Sequence, residues 1–217
     1  MLRRKVLAKI AEWHQDGCRK ALLLTGARQV GKTTAVREFA KQYRYFVEVN
    51  FVKRPIAQQA FDGDLDTKTI ITNLSAMGFG PFGAGKTLVF FDEVQECPNA
   101  RTAIKFLVED HTYDYIESGS LLGINYKPVP SYPVGYEEEI AMFPLDFEEF
   151  LWANGVSEQV FDLLRKSYQE ETAVPDFIHQ QISRYYRQFL AVGGMPEAVQ
   201  SFVNNPDFRL VEKVHRS

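Results

Sequence analysis

Cys18 and Cys97 are the only cysteines in a chain of 217 residues, and they lack the paired spacing of a zinc site or a disulfide framework. That scarcity excludes a disulfide-stapled or cysteine-ligated domain and fits a reducing cytoplasm. No stretch approaches the ~20 consecutive apolar residues of a membrane span. The segment Met1 to Ile10 carries Arg3, Arg4 and Lys5 and lacks the apolar run of a secretory signal. The expectation is a soluble, cytoplasmic protein with no membrane partner. A charge excess is missing too, because 25 Lys and Arg stand against 28 Asp and Glu. The balance neither demands nor excludes a polyanion such as DNA, and two arginines on one helix, Arg184 and Arg187, do not make a DNA site. His14, His111, His179 and His215 are scattered without metal-ligand spacing and read as surface or satisfied histidines.

What is present is apolar material, 45% of the residues, enough for a substantial core. Its periodicity alternates. Val6 to Trp13 has helical spacing and Asp16-Gly17 breaks it. Ala21 to Leu24 is a short buried-strand run, Ala35 to Tyr43 a helix, and Tyr45 to Phe51 a second strand. Thr67 to Met77 reads as a helix, Gly78 to Gly85 as a glycine-rich connector and Thr87 to Phe91 as a third strand. Arg101 to Glu109 reads as a helix, Tyr113 to Glu117 as a fourth strand and Ile140 to Phe143 as a fifth, after a proline-bearing loop from Leu122 to Gly135. This order predicts an α/β fold with a mainly parallel five-stranded sheet between helices and ligands at the carboxyl ends of the strands. Beyond Pro144 the pattern turns helical, over Asp146 to Ala153, Ser157 to Lys166, Phe177 to Val192 and Glu197 to Phe202. We therefore expect a first domain over 1–144 and a helical extension over 145–217. The aromatics from Phe143 to Trp152, with Tyr185, Tyr186 and Phe189, are spaced for helix packing.

Gly26-Ala27-Arg28-Gln29-Val30-Gly31-Lys32-Thr33 matches the phosphate-binding pattern G-x-x-x-x-G-K-[ST] between a strand and a helix, with Thr34 next in the helix. Glycines let backbone N–H groups wrap phosphate oxygens, Lys32 would bring a point charge to the β- and γ-phosphates, and Thr33 would offer its hydroxyl to Mg2+. A second match, Gly80 to Thr87, leads into Leu88-Val89-Phe90-Phe91, so no helix N-terminus would face an anion there. It reads as a loop with Lys86 solvated. Asp92 and Glu93 close the third strand: Asp92 would hold Mg2+, and Glu93 stands where a base that activates water would stand. Asn50 and Ser118 fall at the ends of the second and fourth strands as candidate sensors. Equally, Asn50 caps a loop and Ser118, Gly119 and Ser120 form a turn.

The ordered motifs GARQVGKTT, LVFFDEVQ, ESGSLLG, FPLDFEEFLWA and GGMPEAV resemble the prokaryotic AAA+-type P-loop ATPases, related to archaeal ATPases and STAND NTPases, in which an AAA domain precedes a C-terminal domain of unknown function. The resemblance covers nearly the whole chain, and its last three motifs are the more particular ones. It implies a nucleotide and magnesium site at Lys32 and Thr33, with Arg28 and Gln29 also matching. It implies an acidic pair at Asp92 and Glu93 and a sensor at Ser118 or Ser120. The Gly-Arg that often precedes the Pro-Leu segment is replaced by Pro133-Val134-Gly135-Tyr136, so an arginine finger has no assignment. A further C-terminal domain, nuclease-like or nucleic-acid-binding, is expected in the family and missing before Ser217.

The expected function is Mg-dependent ATP hydrolysis, slow in isolation, with ATP and Mg2+ as ligands and a DNA or protein partner and oligomers as possible companions. One alternative is a regulatory or DNA/protein-binding module with little hydrolysis. Another is a P-loop transferase or GTPase, against which no asparagine is followed by lysine, as a guanine-reading Asn-Lys-x-Asp requires.

Overall fold

The computed structural model describes residues 2–15, 20–120, 131 and 133–216. Asp16, Gly17, Cys18 and most of the expected loop from Leu122, including Pro128 and Pro130, lie outside the described residues. Two units separate. One runs from Val6 to Met142; the other starts at Phe143 and takes in Leu2, Arg3, Arg4 and Lys5.

In the first unit five strands, β1 (Ala21–Gly26), β2 (Tyr45–Asn50), β3 (Thr87–Asp92), β4 (Asp114–Ser120) and β5 (Glu137–Met142), form one sheet in the order β2-β3-β4-β1-β5. Every neighbouring pair is parallel, so each connection crosses over and helices cover both faces. The helices are α1 (Val6–Gln15), α2 (Lys32–Phe39), α3 (Thr67–Ala76) and α4 (Pro98–Glu109). Every residue of β1 and β3 is buried, which is why their sequences run apolar without alternation. One set of alternating side chains, Ala21 and Leu23, Val89 and Phe91, Tyr115, packs with Ile70 and Leu74 of α3 and Ala103, Ile104 and Leu107 of α4. The opposite set, Leu22, Leu24, Phe90 and Ile116, is equally buried and lies on the side of α1 and α2, whose Trp13 and Phe39 rings meet at 6.3 Å.

Several bounds differ from the sequence expectation for physical reasons. Helix α2 begins at Lys32 rather than Ala35, because Gly31 in the left-handed region is its N-cap, and the helix ends at Phe39 in a 3-10 turn, Ala40–Gln42. Pro98 at the first position starts α4 three residues early. Strand β5 ends at Met142, leaving Phe143 71% exposed.

The second unit comprises α5 (Phe147–Ala153), α6 (Glu158–Gln169), α7 (Asp176–Val192), α8 (Pro196–Asn204) and α9 (Phe208–His215). Helix α9 has no counterpart in the sequence reading; eight residues carry too few periods to stand out, and Asp207 caps it by accepting from the Arg209 N–H at 2.9 Å. Phe150, Val192, Val199 and Phe202 form its core, with Phe147, Tyr185 and Phe189 against it. The motif FPLDFEEFLWA is an N-terminal device. Asp146 and Glu149 make a reciprocal capping box, and Glu149 also receives the Arg4 guanidinium at 3.1 Å and the Lys5 N–H at 2.7 Å. Leu145 donates to the Gly194 carbonyl at 2.7 Å, and a Cβ on Gly194 would lie 2.2 Å from the Leu145 oxygen. The glycine of GGMPEAV is required by that approach. Among the described residues no helix is long and apolar enough to cross a membrane.

Candidate nucleotide site

Strand β1 leads straight into the glycine loop. Gly26 has φ 153°, and a Cβ there would meet the Met142 carbonyl oxygen of β5 at 2.2 Å, so no larger residue fits without moving an adjacent strand. The chain turns through Gln29 at φ 64° and Gly31 at φ 96°, and no side chain caps α2. The positive end of a helix is thus presented with backbone donors uncapped by any side chain. Ala27, Arg28 and Gln29 are exposed at the loop's crest, Val30 is buried beneath it, and Thr34 is exposed in the first turn of α2.

Lys32 is buried, and its Nζ donates to the carbonyls of Gly26 at 3.0 Å and Ala27 at 2.9 Å. Burial pushes its pKa below the ordinary lysine value; the negative charges of Glu93 and Asp92 oppose that shift and the Arg28 charge adds to it.

Asp92 is where the elements converge. It is 3% exposed. Its Oδ2 accepts from Thr33 Oγ1 at 3.2 Å and Asn50 Nδ2 at 2.7 Å, and its Oδ1 accepts from Ser118 Oγ. Sheet register makes this arrangement, since Asn50 and Ser118 lie directly across from Asp92 on the two flanking strands. Ser118 therefore belongs to β4 and is fully buried, rather than sitting in a turn. Asn50 caps the following loop, its Oδ1 accepting from the N–H groups of Val52 at 3.1 Å and Lys53 at 2.8 Å, while its amide donates to Asp92. Ser120 ends β4 opposite Gly26.

Glu93 follows β3 with φ 58° and ψ 46°, the left-handed region. For a residue with a Cβ that conformation costs about 1 kcal/mol or more. Gln95, in the 3-10 turn Val94–Glu96, donates its Nε2 to Glu93 Oε2 at 2.6 Å. The sequence reading assigned Gln95 no role; only the turn after β3 brings it back onto Glu93.

The second glycine-lysine match is folded differently. No helix follows it, for Thr87 opens β3. The Thr87 hydroxyl accepts from the Gly83 N–H at 2.8 Å and donates to the Gly83 carbonyl at 3.0 Å. The amides of Gly85 and Lys86 are engaged by Thr112 and Gly83, and Lys86 is exposed.

One residue before Ser118 on β4, Glu117 is fully buried. Burial pushes its pKa well above the ordinary value, and the charge of Glu137 and a hydrogen bond shared with it add to this, with the Arg101 guanidinium opposing. Arg101 itself is paired with Glu137 at 3.3 Å. The apolar surroundings of β4 hid this group from the sequence reading.

Thr33 and Asp92 offer two hard oxygens within 3.2 Å, a fit for Mg2+, which takes one or two protein oxygens together with water and phosphate. Among the described residues no group of three His, Cys, Asp or Glu forms a metal cluster, so a cation at this place would rely on that pair.

A model of the AAA domain family matches residues 18–151, more than half of the chain. No curated protein matches it. Among solved structures, a Walker-type ATPase of Pyrococcus abyssi superposes with a TM-score of 0.54 at 17% identity, covering 99% of this chain and 71% of that one. AMPPCP-bound DnaA from Aquifex aeolicus gives 0.50 at 11%, covering 98% and 64%, and Drosophila ORC bound to DNA gives 0.50 at 14%, covering 96% and 65%. At these identities the likeness is one of fold. The chain spans about two thirds of the length of those three.

Proposed function

We propose that this chain, which belongs to the AAA domain family, is a Mg-dependent ATP hydrolase whose site runs from Gly26 to Thr34 and includes Asp92 and Glu93. The observation that carries the reading is the convergence on Asp92, where one buried carboxylate gathers hydroxyls from the loop helix and β4 and an amide from β2. A structural turn between strand and helix has no need of it.

On this reading Lys32 exchanges its two carbonyl partners for the β- and γ-phosphate oxygens, which are stronger acceptors because they are charged. Backbone amides of the loop and the N-terminus of α2 take the remaining oxygens. Thr33 and Asp92 hold Mg2+, which when bound neutralises charge on the phosphates. Glu93 orients a water in line and takes its proton as the bond from water oxygen to γ-phosphorus forms and the bond from γ-phosphorus to the bridging oxygen breaks. Asn50, Ser118 and Ser120 are the sensor positions, the first two by holding Asp92. A DNA or protein partner and assembly into oligomers are part of the proposal, and both are assayed by adding duplex DNA or raising protein concentration and following phosphate release.

The deciding experiment is calorimetric titration of ATP and GTP with Mg2+ into wild type and Glu93→Gln, with phosphate release followed in the same samples. The expected outcome is ATP binding by both at similar affinity, no GTP binding, and turnover reduced about 10²–10⁴-fold by the substitution. Tight ATP binding without phosphate release by wild type would make the protein a nucleotide-dependent binding module instead. Absence of ATP binding would end the nucleotide reading.

A further inference from the structure

Gln95 has features that packing alone does not account for. It is 6% exposed, its amide nitrogen reaches a carboxylate oxygen of Glu93 at 2.6 Å, and its carbonyl oxygen is buried with no hydrogen-bond partner. The amide orientation follows from chemistry, because an ionised carboxylate only accepts and the NH2 end must face it. The carbonyl is then left unpaired, which is unfavourable for a buried acceptor. Glu93 itself sits in a left-handed conformation, a second local cost in the same three-residue stretch. A methionine has nearly the same volume as glutamine and would bring no buried unpaired acceptor of its own. A glutamine held at that disadvantage beside a strained glutamate points to a task performed on the glutamate.

We infer that Gln95 is a positioning residue for hydrolysis, clamping Glu93 Oε2 so that Oε1 is the oxygen presented to the attacking water. A charge-assisted hydrogen bond of this length fixes the carboxylate plane, and the left-handed turn at Glu93 is what lets a residue two positions on fold back to hold it. Gln95 touches neither nucleotide nor water in this arrangement. The inference rests on the hydrolase reading above.

The test uses Gln95→Met, Gln95→Glu and the double variant Glu93→Gln/Gln95→Met, with kcat, KM, calorimetric ATP affinity and Tm measured for each. Gln95→Met should lower kcat about tenfold or more, within the range of about 10²–10⁴ that proton handling by Glu93 supplies. Its KM and ATP affinity should stay within about twofold and its Tm should equal or exceed that of wild type. Gln95→Glu, which replaces the donor by a like charge, should fall further. In the Glu93→Gln background, Gln95→Met should cause no additional loss, because the group it positions is already gone. Unchanged kcat in folded Gln95→Met overturns the inference, as does an equal loss in the double variant or a loss that follows ATP affinity or Tm. A wild type that binds ATP and releases no phosphate overturns the hydrolase reading itself, whereas active wild type beside equally active Gln95→Met overturns only the clamp.

Discussion

Two segments of this protein spell the same eight-residue pattern, Gly26 to Thr33 and Gly80 to Thr87, and the fold makes one a candidate phosphate cradle and the other a plain connection. In the first, glycine in the left-handed region opens a helix, the lysine is buried against loop carbonyls, and the threonine touches a carboxylate from another strand. In the second the lysine is in solvent, the threonine closes on its own loop, and the amides that would have to receive phosphate are already bonded. The lesson is physical. An anion site needs free donors aimed at one point, and a helix leaves its first N–H groups free while a strand entering a sheet uses them.

The comparison breaks most visibly at the lysines. Lys32→Ala should weaken ATP binding about 10²–10⁴-fold, from the loss of two charge-assisted bonds, and abolish turnover, whereas Lys86→Ala should leave both unchanged. Titration calorimetry on the two variants checks this, and a comparable loss from Lys86→Ala would sink the distinction.

The glycines sharpen it on the stability axis. Gly26→Ala drives a Cβ to 2.2 Å from the Met142 oxygen and should cost about 3 kcal/mol or more. Gly85→Ala meets nothing within 4 Å and bears only the strain of φ 63°, about 1 kcal/mol. At ~2–4 °C per kcal/mol for a chain of this size, calorimetric melting separates them. Equal Tm shifts would mean that β1 and β5 are free to move apart.

A smaller effect concerns the strand between the two loops' own strands. Glu117 of β4 lies across from Leu23 of β1 and Phe91 of β3, and its pKa is raised by burial. The unfolded chain releases this proton near the ordinary carboxylate value, while the folded chain keeps it to higher pH. Across that window the folded state binds more protons, so stability from this group falls as pH rises. Glu117→Gln should remove that slope, and its Tm relative to wild type should rise as the pH climbs above the ordinary carboxylate value. A gap that does not change with pH would mean that Glu117 is ionised against Arg101 in the folded protein.

Much of this molecule was legible in one sequence, and unevenly. The strands preceding Gly26 and Asp92 announced themselves because strands covered on both faces run apolar without interruption. The second GKT was rejected from its sequence neighbours alone, since Leu88-Val89-Phe90-Phe91 cannot begin an exposed helix end. Where the reading offered a choice it lacked the deciding information: Ser118-Gly119-Ser120 is as good a turn as a strand end until Ser118 is paired across from Asp92. Helix α9 was too short for its period to show, and the grip of Glu149 on Arg4 and Lys5 depended on partners far away in sequence.

The sequence by itself determined the alternation of strands and helices, the loop that carries Lys32 and Thr33, and the acidic pair after the third strand, because periodicity and glycine placement are local properties. Only the tertiary structure decided that β3 lies between β2 and β4, so that Asn50 and Ser118 reach Asp92 from opposite sides, and that Gln95 turns back onto Glu93. Strand order, register and side-chain direction arise from pairing between distant segments, and no spacing along one chain encodes which strand will be the neighbour.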